Sequence, residues 1–171
     1  MIEIHPLDTR FGRWEDLLSL IHTSFRYMDE IIDPPSSAKR LTLDTLKEKA
    51  ESEFAFVAMK ERTLVGCVFC RPEQMGCLYI GRLAVMPERQ GQGIGRQLLE
   101  VAQTFAHEKG CERLRLETRI ELTKNHATFA RCGFFIAAEK AHPGYDRVTL
   151  RRDDQGPGEN GRLIQNPQLR G

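Results

Sequence analysis

The chain has 171 residues, of which 40% are hydrophobic and 29% charged, and its formal net charge is +1. This composition is typical of one globular domain with its own core, and the near-neutral charge gives little support for a nucleic-acid partner. No apolar run approaches the roughly 20 residues that cross a bilayer, and the first residues lack the pattern of a signal peptide. We therefore expect a cytoplasmic protein that has no membrane partner.

The N-terminal part of the sequence predicts a strand, two helices and a hairpin. A short strand over 2–5 precedes an amphipathic helix over about 11–26, in which large apolar residues recur at helical spacing. A second helix is predicted to begin after Thr42, which serves as its cap, and to end near Glu51. Two apolar segments then flank the polar turn 60–63 and predict a β-hairpin.

The most informative segment is Gln90-Gly91-Gln92-Gly93-Ile94-Gly95-Arg96, which stands between a predicted strand over 77–85 and a predicted helix. Its three glycines allow the backbone to approach a ligand closely, because no Cβ intervenes. Backbone N–H groups also converge at the positive end of the helix that follows. Strand, glycine-rich turn and helix in this order therefore predict a site for a phosphate or pyrophosphate.

The helix after the glycines is predicted to end at Gly110, a suitable C′ residue. The strand predicted over 113–118 should lie parallel to the strand over 77–85, because a helix separates them and such crossovers are right-handed. A short helix over 125–131 and a final strand pair over 134–138 and 147–150 complete a domain over 1–152. Residues 153–171 contain few large apolar side chains, so a flexible tail is predicted there.

Five cysteines include the C-x-x-C pattern Cys67-Val68-Phe69-Cys70. This pattern lies in a predicted strand, where residues three apart point to opposite faces and cannot share a metal ion. We interpret these residues as buried, reduced thiols; metal or redox chemistry is the alternative. The histidines show no paired ligand spacing either, so no metal is expected.

A strand ending in Leu83-Ala84-Val85 is followed by the glycine-rich loop, a helix, a strand and a short helix ending in Gly133-Phe134. In this order of segments the chain resembles the GNAT superfamily of acyl-CoA-dependent N-acetyltransferases. The resemblance extends to about Arg152. It implies a mixed α/β (α+β) fold, with helices flanking a central, mostly antiparallel sheet that has one parallel crossover at a splayed strand pair. It also implies that acetyl-CoA is the cosubstrate and that a primary amine of a small molecule or peptide attacks it directly in a ternary complex.

The resemblance assigns the cofactor-binding residues by position. The loop amides would hold the CoA pyrophosphate, the backbone of a bulged strand would pair with pantetheine, and the Val85 N–H would face the thioester oxygen. Asn125 would contact the cofactor from the following helix. The cofactor-binding residues expected on this basis are Leu83, Ala84, Val85, Gln90, Gly91, Gln92, Gly93, Ile94, Gly95, Arg96 and Asn125.

The catalytic residues are less clearly indicated. Many relatives carry a tyrosine that protonates the departing thiolate, and Phe129 stands at that position here. For the general base, Glu117 is the first candidate, and the alternative for it is an ion pair with a neighbouring arginine. Tyr79 occupies a family base position, although a tyrosine is a poor base at neutral pH. His142 and Tyr145, in the last loop, are the further base candidates; Tyr145 could also contact substrate, and a packed, hydrogen-bonded tyrosine is the alternative for it.

The acceptor usually enters over the loop between the first two helices. Acidic and apolar residues cluster there, among them Tyr27, Asp29 and Glu30, and would suit a cationic amine with an apolar body. A merely solvated acidic loop is the alternative. His142, in the last loop, is a further substrate-binding candidate, and the sequence leaves a homodimer open.

Three alternative functions make different demands on the sequence. A dinucleotide-binding unit needs G-x-G-x-x-G, but Arg96 occupies the place of the third glycine, although Glu117 stands where a ribose-binding acid would. A nucleoside triphosphatase needs G-x-x-x-x-G-K-[ST], which the sequence lacks. A GNAT-like module that binds acyl-CoA without catalysis stays open, because Phe129 and the undefined base favour it.

Overall fold

The computed structural model describes residues 1–32, 36–142 and 145–153, with the backbone alone at residues 29, 30, 140–142 and 145. The described helices are α1 (Trp14–Phe25), α2 (Leu43–Ser52), α3 (Ile94–Glu108) and α4 (Thr123–Arg131). The strands are β1 (Ile2–Pro6), β2 (Phe54–Lys60), β3 (Thr63–Pro72), β4 (Cys77–Val85), β5 (Arg113–Arg119), β6 (Phe135–His142) and β7 (Tyr145–Asp153). Among the described helices, none is both long enough and apolar enough to span a membrane.

The seven strands form one sheet in the order β1-β2-β3-β4-β5-β7-β6. Strand β4 pairs with β5 in parallel, with Cys77 opposite Arg113 and Tyr79 opposite Arg115. The other pairs whose register is described are antiparallel. This arrangement confirms the predicted mixed α/β fold with one parallel crossover. The predicted bulge in β4 and the splay of the strand pair stay predictions.

The predicted elements are present, with shifts at their ends. Strand β4 begins and ends where the sequence predicts, whereas β6 and β7 are longer than expected and β7 includes Asp153, the first residue of the predicted tail. Residues 154–171 lie outside the described part of the chain. Within the described ranges, three short 3-10 helices were not predicted from the sequence; they are Arg26–Glu30, Ser37–Arg40 and Pro87–Arg89.

The chain divides into two units. The boundary between the units falls within β4 and within α3, so each of these elements has one end in each unit. The first unit comprises Met1–Glu30, Pro35–Arg71 and Gly81–Ala102. In it, α1 buries residues at the spacing i, i+3, i+4, i+7, as an amphipathic helix does; these are Leu17, Leu20, Ile21 and Ser24. Helix α2 begins at a reciprocal cap, in which the Thr42 hydroxyl accepts from the Thr45 N–H at 3.2 Å and the Thr45 hydroxyl accepts from the Thr42 N–H at 2.8 Å.

Helix α3 approaches the sheet of the first unit closely at Gly66 in β3. A Cβ on this glycine would lie 3.0 Å from Leu98 Cδ1, 3.1 Å from Ile94 Cγ2 and 3.1 Å from the carbonyl oxygen of Ala84. These distances are shorter than ordinary van der Waals contacts, and one of the three atoms belongs to the backbone. The absence of a side chain at Gly66 therefore fixes where the first turns of α3 lie against β3 and β4.

The second unit comprises Ile31–Pro34, Pro72–Ile80 and Gln103–Gly171. Here α3 ends in a Schellman motif: the Cys111 N–H donates to the Ala106 carbonyl at 2.8 Å and the Gly110 N–H to the His107 carbonyl at 3.1 Å. The φ angle of Gly110 is +75°, which confirms the predicted C′ residue. Leucines at alternate positions of β5, Leu114 and Leu116, are buried, and the residues between them carry charges.

Candidate active site

The glycine-rich loop of the first unit leads directly into α3. Gly91 and Gly93 have φ angles of +85° and +84°, a region that favours glycine. Apart from adjoining residues, no heavy atom of the described chain lies within 4 Å of a Cβ built on either glycine. The Gln97 N–H donates to the Gly93 carbonyl at 3.0 Å, and helix geometry directs the preceding amides of Ile94 and Gly95 out of the N-terminal end of α3.

The end of β4 is held in place by hydrogen bonds from three directions. The Val85 carbonyl accepts from Ser24 Oγ at 3.0 Å and from Gln90 Nε2 at 3.4 Å. The next residue, Met86, donates its N–H to the Val65 carbonyl at 2.8 Å. The strand therefore enters the loop at a fixed position. Ser24 was not predicted from the sequence, although a hydroxyl on the apolar face of α1 signals an internal hydrogen bond.

The other predicted cofactor residues of the first unit differ in exposure. Ala84 is buried, and Leu83 and Val85 are half-buried. Gln90, Gln92 and Arg96 are exposed, so the loop presents its backbone and its polar side chains to solvent. These positions fit an anion held mainly by main-chain amides, because no buried charge competes for them among the described residues of the loop.

Helix α1 and the start of α2 enclose a hollow of about 300 Å³ in the same unit. Its walls carry His22, whose Nε2 lies 2.9 Å from the Leu41 carbonyl oxygen, together with Glu15 and Arg26. Tyr27 follows at the end of α1, and 48% of it is exposed. The side chains of Asp29 and Glu30, and all of Asp33, lie outside the described residues.

In the second unit, Arg115 brings two predicted catalytic residues together. Its guanidinium lies 4.6 Å from the ring centroid of Tyr79 and donates from Nη1 to Glu117 Oε2 at 2.9 Å. It also binds Glu73 in a bidentate pair, at 2.9 and 2.7 Å, and these hydrogen bonds raise the pKa of Arg115 above its usual range. Tyr79 and Glu117 are therefore linked through an arginine that was not predicted from the sequence to belong to the site.

Glu117 itself is 6% exposed and lies between two arginines. Its other oxygen, Oε1, accepts from Arg147 Nη1 at 3.4 Å. Both carboxylate oxygens thus accept hydrogen bonds from guanidinium groups, which supports the ion-pair interpretation of Glu117 over the general-base interpretation. The alternating charges of β5 were the available signal, since they place Arg113, Arg115 and Glu117 on one face.

Four further residues singled out from the sequence lie on α4, at the end of β6 and at the start of β7. Asn125 is half-buried in the first turn of α4, and its N–H donates to the Leu122 carbonyl at 3.0 Å. The ring of Phe129 packs edge-to-face on Phe134, with 5.6 Å between centroids. The side chains of His142 and Tyr145 lie outside the described residues, so their predicted roles as bases or substrate contacts stay predictions.

The C-x-x-C pattern consists of buried free thiols, as its place in a strand predicts. Burial raises the pKa of the Cys67 thiol to about 12. Across the described ranges, no group of three or more His, Cys, Asp or Glu side chains could hold a metal ion.

Comparisons with known proteins agree with this architecture. The family model described as "Acetyltransferase (GNAT) family" matches residues 14–134. The chain is 40% identical over 50 residues to the aminoglycoside N(6')-acetyltransferase type 1 of Stenotrophomonas maltophilia, a match covering 29% of this chain and 33% of that protein. It is 32% identical over 136 residues to the IAA acetyltransferase of Azospirillum brasilense, covering 78% of this chain and 86% of that protein.

Among solved structures, the PaiA N-acetyltransferase of Thermoplasma acidophilum in complex with coenzyme A is similar with a TM-score of 0.75. The two chains share 18% sequence identity, and the match covers 90% of this chain and 99% of the other. At this identity the likeness concerns the fold. Together with the family model, which spans most of the chain, it leads to one conclusion: the chain belongs to the GNAT family of acetyltransferases.

Proposed function

We propose that this protein transfers the acetyl group of acetyl-CoA to a primary amine of a small molecule or peptide. The observation that carries the proposal is the loop that opens α3, where two glycines with positive φ leave open space beside the first helical amides. Amides at a helix N-terminus and the helix dipole together favour a bound phosphate group. In an acetyltransferase of this family, the anion expected to bind at the N-terminal end of α3 is the pyrophosphate of CoA.

The remaining parts of the cofactor are assigned to the end of β4. Its backbone at Leu83 and Val85 is proposed to pair with pantetheine, and the Val85 N–H to stabilise the thioester oxygen as charge develops on it. The hydrogen bonds that the Val85 carbonyl accepts from Ser24 and Gln90 support this role, because they hold the strand end in one position. The proposed contact of Asn125 with the cofactor rests on the family resemblance alone.

In the proposed reaction the amine nitrogen attacks the thioester carbonyl carbon, the carbon–sulfur bond breaks and the amine loses a proton. An alkylammonium with a pKa near 10.4 must first give up a proton, which costs about 4–5 kcal/mol at pH 7. Expelling a thiolate whose conjugate acid has a pKa near 8.5 costs only about 2 kcal/mol. The proton on the amine is therefore the larger obstacle, and a phenylalanine at position 129 is compatible with turnover.

Tyr27, Asp29, Glu30 and His142 are the residues proposed to contact the acceptor. The aminoglycoside acetyltransferase relative bears the name of an amine-containing substrate. An amine acceptor for this chain is consistent with that similarity and with the acidic residues that follow α1.

A second candidate function is an acyl-CoA-binding module without catalysis. Two observations favour it: Phe129 packs on Phe134 and carries no exchangeable proton, and both oxygens of Glu117 are engaged by arginines. The loop geometry is common to both functions. Only turnover separates them.

The test combines binding and turnover on one preparation. Acetyl-CoA binding is measured by isothermal titration calorimetry, and release of free CoA is followed with a colorimetric thiol reagent against amino acids, peptides, polyamines and aminoglycosides. We expect binding and amine-dependent CoA release. Binding without release on every amine would identify the binding module, and no binding at all would refute the assignment of the loop.

A further inference from the structure

The last turn of α1 contains a buried serine that contacts the end of β4. Ser24 is 4% exposed, and its Oγ donates to the Val85 carbonyl oxygen at 3.0 Å, although the two residues are 61 positions apart in the sequence. A serine inside a helix commonly donates to a carbonyl of the preceding turn of its own helix. The described hydrogen bond of Ser24 instead leaves the helix and reaches the strand that is proposed to bind the cofactor.

The peptide unit between Val85 and Met86 is held at both of its polar ends. Its carbonyl group accepts from Ser24 Oγ at 3.0 Å and from Gln90 Nε2 at 3.4 Å. Its N–H group, which belongs to Met86, donates to the Val65 carbonyl at 2.8 Å. A peptide unit is planar, so hydrogen bonds at both ends fix the orientation of the whole plane. The shorter of the two bonds to the carbonyl comes from Ser24, which therefore holds that end more strongly.

The orientation of this plane determines where the backbone N–H of Val85 points. In a trans peptide the C=O and N–H groups point in opposite directions. The Met86 N–H is directed to β3, so the Val85 carbonyl is directed away from β3. Val85 belongs to β4, and in an extended strand the N–H and C=O of one residue lie on the same side. The Val85 N–H therefore also points away from β3, to the side on which Ser24 donates.

The hydrogen bonds to the Val85 carbonyl also change the electrostatics on this side of β4. A carbonyl oxygen without a donor would place its partial negative charge beside the N–H that is proposed to stabilise a developing negative charge. The donors Ser24 Oγ and Gln90 Nε2 compensate that partial charge. Donors that are oriented before the reaction stabilise a developing oxyanion without reorganisation at the moment of reaction. The arrangement is therefore suited to an oxygen that becomes anionic next to Val85.

The neighbour of Ser24 makes a second contact between α1 and β4. The Phe25 ring centroid lies 5.7 Å from the guanidinium carbon of Arg82, which is within the cation–π range. Met28, one turn after Ser24, is buried as well. All of these residues, and Val85, belong to the first unit. The end of α1 is thus packed on the end of β4, and this packing keeps the Ser24 hydroxyl beside the Val85 carbonyl.

We propose that Ser24 is a positioning residue for acetyl transfer: its hydroxyl holds the Val85–Met86 peptide unit so that the Val85 N–H is directed at the thioester oxygen. This inference rests on the proposed function, because it takes the Val85 N–H as the donor to that oxygen. Ser24 acts through Val85 and does not contact the substrate. The loop amides would hold the CoA pyrophosphate with or without this hydroxyl, so its loss should affect the reaction step more than the binding of acetyl-CoA.

A purely structural role for Ser24 makes a different prediction. Loss of the hydroxyl would then lower the stability of the protein and leave the hydrogen bond to the thioester as it is. The pair S24T and S24V separates the two roles, because both side chains have the same shape and only threonine keeps the hydroxyl. The matched control is S52A, which also removes a serine–carbonyl hydrogen bond: Ser52 Oγ donates to the Lys49 carbonyl within α2, at 3.2 Å.

The test combines spectroscopy of the bound cofactor with kinetics. Acetyl-CoA labelled with ¹³C at the thioester carbonyl is bound to each variant, and infrared difference spectra give the carbonyl stretching frequency, which falls when the oxygen accepts a hydrogen bond. We expect a lowered frequency in wild type, S24T and S52A, and a frequency closer to that of free acetyl-CoA in S24A and S24V. Removing an oxyanion donor outright lowers kcat by about 100–1,000-fold, and misdirecting one should cost less, about tenfold in S24A and S24V. The calorimetric affinity for acetyl-CoA should stay at the wild-type value.

Three results would overturn the proposal. They are the same carbonyl frequency in S24V as in S24T, an equal loss of kcat in S24A and S52A, or a loss of acetyl-CoA affinity that accounts for the whole fall in activity. Should a branched variant not fold, the comparison of S24A with wild type and S52A carries the test. Failure of the proposed function is distinct: wild type would release no CoA with any amine, while the infrared spectra would still compare the bound thioester among the serine variants.

Discussion

The loop assignment makes its sharpest prediction at Gly93. Replacement by glutamate places a side chain and a negative charge where the CoA pyrophosphate is proposed to bind. Gly93 has a φ of +84°, so any L-residue there is strained by about 1–2 kcal/mol. The Cβ itself has room, because nothing but adjoining residues lies within 4 Å of it. The expected cost to the fold is therefore the backbone strain and little else.

A matched control exists at the other end of the same helix. Gly110 has a φ of +75° and equally open space around its Cβ, so G110E imposes a similar strain and the same charge. A strain of about 1–2 kcal/mol lowers the melting temperature of a domain of this size by about 2–8 °C. We expect both variants to remain folded, because small domains are stable by about 5–15 kcal/mol.

The two variants should differ in cofactor binding. Loss of one or two charge-assisted hydrogen bonds, each contributing about 1.5–3 kcal/mol, weakens acetyl-CoA binding by at least about tenfold in G93E. G110E should bind acetyl-CoA as the wild type does. Calorimetric titration at one salt concentration gives both affinities, and thermal melts give both stabilities. Unchanged affinity in G93E, or an equal loss in G110E, would refute the proposed pyrophosphate site.

Four further predictions concern single residues. G66V should lower the free energy of unfolding, measured by chemical denaturation, by about 1–3 kcal/mol, because the new side chain meets α3 and the Ala84 carbonyl oxygen. G12V should leave it unchanged, because the space around Gly12 is open. In the native protein Cys67 should resist alkylation at pH 8, because its thiol has a pKa of about 12 and stays protonated. Mass spectrometry should find Cys67 modified only after unfolding, and rapid labelling of the native protein would contradict its burial. E117Q should lower the melting temperature, since it removes the charge that pairs with two arginines. The pH profile of its activity should keep the wild-type shape; loss of the acidic limb of that profile would instead identify Glu117 as the base. F129Y should leave kcat unchanged or raised in the CoA-release assay, and a collapse in cofactor affinity would show that Phe129 is needed for packing.

The parts of this molecule that the sequence predicts correctly are those set by local pattern. The limits of β4, the cap at Thr42 and the helix end at Gly110 each depend on a few adjoining residues whose conformational preferences are strong. The glycine-rich loop belongs to the same class, because its backbone follows from residues 90–96. Family membership followed from the order of such segments.

The parts that the sequence could not predict depend on pairing between distant segments. Arg115 reaches Glu73, which is 42 positions away, and Arg147 reaches Glu117 across 30 positions. Periodicity shows that alternate residues of β5 share a face, but it cannot show that β7 lies beside β5 with arginine opposite arginine. The register of the two strands supplies that information.

The ion pairs of Glu117 also bear on where a proton on the acceptor would go. Protonating a carboxylate whose two oxygens accept from Arg115 and Arg147 removes the negative charge that strengthens both of these hydrogen bonds. A hydrogen bond to a charged group contributes about 1.5–3 kcal/mol, comparable with much of the 4–5 kcal/mol needed to deprotonate an amine at pH 7. If Glu117 acted as the base, the free energy lost from its hydrogen bonds would offset a large part of the free energy gained by removing the amine proton. In the proposed reaction Glu117 would instead orient Arg115 and Arg147, and water or the substrate itself would take the proton. The rate should then depend steeply on the pKa of the acceptor amine.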